Sequence, residues 1–263
     1  MLIAQRQTRL RELLAQRRIL PLDSLARELG VSQSTIRRDV DELQRQGLVQ
    51  PTHGGVIWIG DQNLPLAPSP GQARLYAFNQ RMSVQLEAKR RIARAAAKLV
   101  PSQQTILLDG GTTTFYLAEQ LRGRSLQIVT NSLPIANLFM DDNNVELIIT
   151  GGLMYGRYGV LLGPTAENFI STVHASKMFF SSAGILGGTL YNQNLLLVAA
   201  EKRMMEQSQQ VVLLADSEKF GQQALAELCN LSEIDVVVTE EGLTAEHRKA
   251  IEGAGCELIV AGE

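Results

Sequence analysis

The sequence predicts an α/β body built on a mostly parallel sheet, carried behind a small N-terminal head of three helices and a β-hairpin. Three observations predict it. Beyond about residue 100, short apolar runs alternate with helical stretches, the pattern of strands that pair in parallel. Before residue 60, amphipathic stretches joined at Gly30 are followed by two β-rich runs around a Gly-Gly turn. Between these regions, residues 60–73 concentrate Pro and Gly with little periodicity and read as a linker. The expected organisation is therefore a head over 1–59, a linker over 60–73 and a body over 74–263, ordinary sizes for two domains in 263 residues.

In the head, a first helix is expected over 3–16 with Leu10, Leu13 and Leu14 inward. Leu22, Leu25, Ala26 and Leu29 form a second apolar stripe that ends at Gly30, a residue suited to a helix C-cap. Val31 and Ser32 close the turn, and Ile36, Val40 and Leu43 then recur at helical spacing, leaving Gln33, Ser34, Arg37 and Arg38 on the outer face. Two short helices so joined make a helix-turn-helix, whose second helix enters the DNA major groove. Short polar groups at its start, Ser32, Gln33, Ser34 and Thr35, reach base edges, and Arg37 and Arg38 reach guanine or phosphate. An ordinary helical hairpin with a solvated charged face fits the same spacing. The residues after the helix count against it. Gln46-Gly47 stops the helix, Leu48-Val49-Gln50 reads as a strand, His53-Gly54-Gly55 as a tight turn and Val56-Ile57-Trp58-Ile59 as the returning strand. That addition is a wing, and His53 at its tip reads as a turn residue or a phosphate contact.

The body opens with a helix expected over 84–100. Leu86, Ile92, Ala93, Ala96 and Leu99 lie on one side of it. Lys89, Arg90, Arg91 and Arg94 lie on the other, read as a solvated face or an interdomain contact. Strands are expected at 105–108, 126–130, 145–150, 177–181, 211–215, 235–239 and 257–260, with helices at 113–121, 133–140, 198–209 and 244–253.

Ligands of open α/β sheets bind beyond the carboxyl ends of the strands, and the distinctive loops of this chain fall there. Asp109-Gly110-Gly111-Thr112-Thr113-Thr114 is a strand end, a Gly-Gly turn and then hydroxyl residues opening a helix. Glycines admit a close backbone approach, and free N–H groups at a helix start suit an anion, so the loop fits a phosphate. A βα loop with a Thr cap is the plain alternative. Thr130-Asn131-Ser132 offers amide and hydroxyl groups for sugar hydroxyls, Thr150-Gly151-Gly152 ends the next strand, and Asp216-Ser217-Glu218-Lys219 brings a lysine for a phosphate or carboxylate. Each alone fits a turn, while four at strand ends point to a small-molecule pocket.

Composition sets the remaining bounds. With 45% hydrophobic and 20% charged residues the chain reads as a folded soluble protein, and no run approaches the ~18 apolar residues of a membrane span. Cys229 and Cys256 stand apart, outside any C-x-x-C pair, and three scattered histidines give a metal site no support; neither a metal nor a cofactor is expected. Isolated thiols fit a cytoplasmic location. The net charge of −2 hides an asymmetry: residues 1–59 carry nine arginines against six acids, a net of +3, and the remainder a net of −5. A +3 head alone neutralises few phosphates, which points to a homo-oligomer, dimer or tetramer.

Thr35-Ile36-Arg37-Arg38-Asp39, then Gly47-Leu48, then His53-Gly54-Gly55 closely resemble the N-terminal domain of DeoR-type bacterial transcription regulators. The resemblance continues through Asp109 to Thr113, Thr130-Asn131-Ser132, Gly151-Gly152 and Asp216 to Phe220, and so covers nearly the whole chain. It departs at Gln50-Pro51-Thr52, where the family commonly has a basic residue, and at Gly110 and Glu218, where Ser is common. The resemblance implies a sensor with the fold of ribose-5-phosphate isomerase that binds a phosphorylated sugar. It also implies a Glu-Lys pair lining the site, which Glu201-Lys202 would match. The function expected is a DNA-binding regulator, a repressor of a sugar-metabolism operon released by its effector. The rival is a sugar-phosphate isomerase or transferase fused to a winged helix, with Asp109, Glu201 and Lys219 as its acid-base groups. Against the rival, no compact catalytic set stands out, and no enzyme activity is expected.

Overall fold

The computed structural model describes residues 3–17, 19–45, 48–52, 55–58, 78 and 81–262. His53 and the expected linker over 60–73 lie outside the described residues. The chain divides into two compact units, Met1–Pro68 and Ser69–Glu263.

In the first unit, α1 (Ile3–Arg17), β1 (Ile19–Pro21), α2 (Leu22–Leu29), α3 (Gln33–Arg45), β2 (Val49–Thr52) and β3 (Gly55–Trp58) succeed one another along the chain. The expected hairpin is present as β2–β3, with Val49 opposite Trp58 and Thr52 opposite Gly55. The sequence pattern does not show β1, which pairs antiparallel with β3 and makes the sheet three-stranded in the order β1-β3-β2. Three residues ending in Pro carry no readable period. Gly30 takes φ 64°, a left-handed cap that lets α2 stop and the chain turn into α3. Leu10, Leu13, Leu14, Leu25, Leu29, Ile36, Val40 and Leu43 meet in one core with Val49 and Val56 of the wing.

One side chain of the T-I-R-R-D block has a task that its spacing does not reveal. Asp39 turns inward and takes two hydrogen bonds from the Arg6 guanidinium, Nε at 2.5 Å and an Nη at 3.1 Å. This largely buried ion pair ties α1 to α3.

The second unit is built on seven parallel strands: β4 (Thr105–Leu108), β5 (Leu126–Thr130), β6 (Val145–Ile149), β9 (Ala175–Phe180), β12 (Ser208–Leu214), β14 (Val236–Glu240) and β15 (Glu257–Ala261). Their order is β15-β14-β12-β9-β4-β5-β6, and every neighbouring pair is parallel. Period-two alternation sorts their side chains between two cores. Ile106, Leu108, Ile128, Phe179, Val212, Leu214, Val236 and Val238 join one, with α4 (Leu86–Ala97), α5 (Thr112–Leu121) and α6 (Leu133–Leu138). Leu107, Val129, Met178, Phe180, Val211, Leu213 and Val237 join the other, with α7 (Pro164–Ile170), α8 (Leu195–Glu206) and α9 (Ala245–Gly253).

All seven expected strands are present. The helix expected over 198–209 is corrected: α8 runs Leu195–Glu206 and β12 already begins at Ser208. Pairing of Ser208 with Ala175 and Gln210 with Lys177 overrides the helical propensity of the intervening glutamines. Two further pieces go unread in the sequence. They are the hairpin β7 (Leu153–Tyr155)–β8 (Val160–Leu162) and the antiparallel sheet of β10 (Gly184–Leu186), β11 (Thr189–Asn192) and β13 (Ala226–Asn230).

Candidate functional site

On the head, Ser32, Gln33, Ser34, Arg37 and Arg38 are exposed and Thr35 is half-buried. Ser32 caps α3: its Oγ accepts from Thr35 N at 3.3 Å and lies 2.8 and 2.9 Å from the hydroxyls of Ser34 and Thr35. Gln33 Nε2 donates to Asp23 of α2. Arg37 and Arg38 project from the second turn, and among the described residues neither is tied to a carboxylate, so both charges face solvent. This is a polar helix start followed by two free guanidinium groups, the chemistry of base-edge and phosphate contact.

In the body, one cavity gathers the loops that leave β4, β9 and β12, three adjacent strands at the sheet's centre. Gly110, Gly111, Thr112 and Thr113 line it, with Ser181 and Ser182 after β9 and Asp216, Glu218 and Lys219 after β12. Gly110 is dictated by space, because a Cβ there would stand 2.1 Å from Val160 Cγ1. Gly111, in extended conformation, precedes α5 without a side-chain cap, so the first N–H groups of that helix keep their donors for a ligand. Thr114 Oγ1 turns back to Gly111 O at 2.9 Å.

The other expected residues stand elsewhere. Asn131 is buried behind the loop and donates to Asp109 Oδ1 at 2.9 Å. Ser132 caps α6 through Ile135 N. Gly151 and Gly152 come after β6, at the sheet edge two strands beyond β4, and do not line the cavity. Both take positive φ, and a Cβ on Gly152 would meet Leu162 O at 2.7 Å, so the turn into β7 requires them. Lys202 is exposed and away from the cavity, while Glu201 lines it; consecutive helical residues point about 100° apart.

Sequence reasoning places Lys89 on a solvated face, and the structure corrects this. Lys89 is 4% exposed and lines the cavity, with Nζ donating to Arg81 O at 2.5 Å and Val84 O at 2.6 Å. A signal was available: Ile92 and Ala93, three and four positions on, belong to the apolar face. Arg81, Tyr158, Ser182, Asn192 and Gln193 were also missed. Arg81 lies 4.2 Å over the Tyr158 ring, whose hydroxyl donates to Gln193 Oε1 at 2.8 Å. No periodic pattern marks these positions.

Two carboxyls are buried at the site, Glu201 in the cavity lining and Asp109 behind the Gly-Gly loop, and each is 1% exposed. Burial and then the Asp109 charge push Glu201 well above the usual carboxylate range, and burial raises Asp109 too. Glu201 Oε1 accepts from Asn192 Nδ2 at 2.5 Å, while Oε2 has no hydrogen-bond partner among the described residues. A pKa raised in the folded state gives stability that is fully present below about pH 4.5 and is lost as pH rises through the folded value. Thermal melts of the full chain against pH should therefore show a decline above the ordinary carboxylate range. Glu201→Gln, which keeps a neutral partner for Asp109, should flatten it. Parallel profiles for the two proteins would mean that Glu201 does not titrate above the ordinary carboxylate range.

Comparison with known proteins places both units. Residues 6–62 match the DeoR-like helix-turn-helix domain, and residues 84–241 match the DeoR C terminal sensor domain. The HTH-type transcriptional regulator GlpR of Haloferax volcanii is 33% identical over 262 residues, 98% of each chain. The uncharacterized HTH-type transcriptional regulator YulB of Bacillus subtilis is 30% identical over 253 residues, 96% of this chain and 94% of that one. Among solved structures, ribose 5 phosphate isomerase A from Neisseria gonorrhoeae overlaps 50% of this chain and 52% of its own at 18% identity and a TM-score of 0.35, too slight a likeness to carry an argument. With a matched head, a matched sensor and relatives aligned over nearly their whole length, the chain belongs to the DeoR family of HTH-type transcriptional regulators.

Proposed function

We propose that the protein is a repressor of a sugar-metabolism operon that grips double-stranded operator DNA with α3 and lets go when a phosphorylated sugar fills the cavity of the second unit. The observation that carries this reading is the composition of that cavity. The uncapped start of α5 shares it with Arg81, Lys89 and Lys219, and Asn192, Gln193 and Glu201 line it as well. The first set suits a phosphate and the second a polyol, since hydroxyls both donate and accept. In the head, residues 1–59 read DNA, with His53 of the wing adding a backbone contact. A head of net charge +3 gains from pairing with a second one, so the working form is a homo-oligomer, dimer or tetramer. Two buried free thiols suit the cytoplasm, and no helix among the described residues is long and apolar enough to cross a membrane.

Double-stranded fragments recovered from a random pool by the intact protein supply a test. A gel shift on such a fragment should dissolve on adding one of a panel of pentose and hexose phosphates and persist with the same sugars unphosphorylated. Failure to retain any fragment, or release by free sugar as readily as by its phosphate, would sink the reading.

The buried carboxyls Asp109 and Glu201 favour a second reading, a sugar-phosphate isomerase or transferase, because two neighbouring carboxyls raised by burial could supply an acid and a base beside the cavity. On the primary reading, incubation with the same panel yields no turnover.

A further inference from the structure

The segment that enters the second unit forms one wall of the cavity. Arg81, Val84 and Gln85 all line it, and the chain reaches them soon after the boundary at Pro68. The contacts of this segment run to the helix and loops that surround the same cavity. The Phe78 ring meets Phe115 of α5 edge-on at 5.9 Å, and Tyr116 of the same helix donates to Met82 O at 3.1 Å. Arg81 covers Tyr158, and Gln85 pairs with Glu218 in the loop after β12. Gln85 adopts φ 51°, a left-handed conformation that L side chains disfavour, so the turn into α4 is held by what surrounds it.

Lys89 is the centre of that hold. Its ammonium has three donors, and two of them go to the carbonyls of Arg81 and Val84. We propose that Lys89 couples the cavity to the chain entering it: an anion seated at the start of α5 takes the third donor of Lys89, completes its coordination and fixes the segment 81–85. Lys89 is thus a positioning residue for regulation, acting on the stretch of chain through which the head is joined to the sensor. The inference rests on the reading that the cavity takes an anionic effector. Burial lowers Lys89 to about 8, closer to neutrality than an ordinary lysine, so the ammonium is mostly protonated at neutral pH and less firmly so as pH rises. An anion secures that charge and strengthens both bonds to the carbonyls. Binding and order in 81–85 are then linked, as any ligand must be to the state it favours.

Hydrogen exchange on the full chain, with inorganic phosphate as the probe, separates the two claims. Slower exchange at 112–115 reports occupation of the α5 start, and slower exchange at 84–89 reports coupling. Wild type should show both. Lys89→Met, which keeps the length of the side chain and loses the donors, should need more phosphate to reach the first and, at saturating phosphate, should still lose the second. Exchange at 84–89 should then change by less than about twofold on adding phosphate, against the roughly fivefold or more typical of coupled sites. If phosphate slows 112–115 in wild type and leaves 84–89 unchanged, the coupling role of Lys89 is overturned and the anion site stands. Full protection at 84–89 in Lys89→Met overturns it equally. No effect of phosphate at 112–115 removes the anion site itself, and the coupling with it. Should Lys89→Met fail to fold, the wild-type measurement alone still decides.

Discussion

Replacing Arg37 and Arg38 together by Ala should weaken operator binding by at least about a hundredfold and leave the head folded. Both side chains are exposed, and neither belongs to the apolar core or to the Arg6–Asp39 pair that ties α1 to α3. On consecutive helical positions the two point about 100° apart, so one can face base edges while the other faces the sugar-phosphate backbone. Each charge-assisted hydrogen bond is worth about 1.5–3 kcal/mol, and losing two per head accounts for the fall. The salt dependence should shift with it, because each phosphate contact removed lowers the slope of log K against log salt by about one. Gel shifts across a salt series, with circular dichroism as the control for folding, read both quantities. Retention of wild-type affinity by a folded double variant would take the recognition surface off α3.

How much of this was legible depends on which force set each feature. The seven strands of the sheet were legible because alternation along each, such as Leu107 against Ile106 and Leu108, is imposed by two cores at once. Helices α2 and α3 of the head were legible for a similar reason, an apolar stripe on each, that of α2 ending at a glycine in left-handed conformation. The wing's third strand, Ile19–Pro21, and β13 exist only through partners far along the chain, and β10 and β11 form a tight hairpin whose three and four residues are too few to show a period. Strand order was equally hidden, and it decides the site. The loops after β4 and β12 meet because only β9 stands between those strands, and that brings Gly110 to Thr113 together with Lys219. Gly151-Gly152 has the same local look but lies beyond an edge strand, and neighbouring strands each add about 4.8 Å of separation. Lys89 shows the opposite failure. Ile92 and Ala93, three and four positions on, marked its side as apolar, but its charge placed it on the opposite, solvated side, the ordinary place for lysine. Burial was made possible by two carbonyls, which only the folded chain supplies.

Thr113→Ala and Lys219→Ala should each reduce effector affinity about tenfold to a hundredfold while leaving DNA affinity without effector near wild type. Thr113 is 2% exposed and lines the cavity in the first turn of α5, the turn whose N–H groups carry no side-chain cap. Lys219 closes the turn after β12, half-exposed, with its charge acting on the carboxyl of Asp216, whose pKa burial raises and Lys219 partly draws back down. Loss of one charge-assisted bond to a phosphate costs about 1.5–3 kcal/mol, which sets the expected range. Neither residue belongs to the first unit, so the operator-binding surface is unchanged. In cells each variant should behave as a repressor that ignores its inducer, and in vitro the release curve should move to higher effector concentration and still reach full release. That last feature distinguishes these positions from Lys89, where the expected loss is in the response at saturation. A normal release curve for Lys219→Ala would place the phosphate elsewhere. A free sugar that binds as well as its phosphate would reduce the Gly-Gly-Thr loop to the start of a helix.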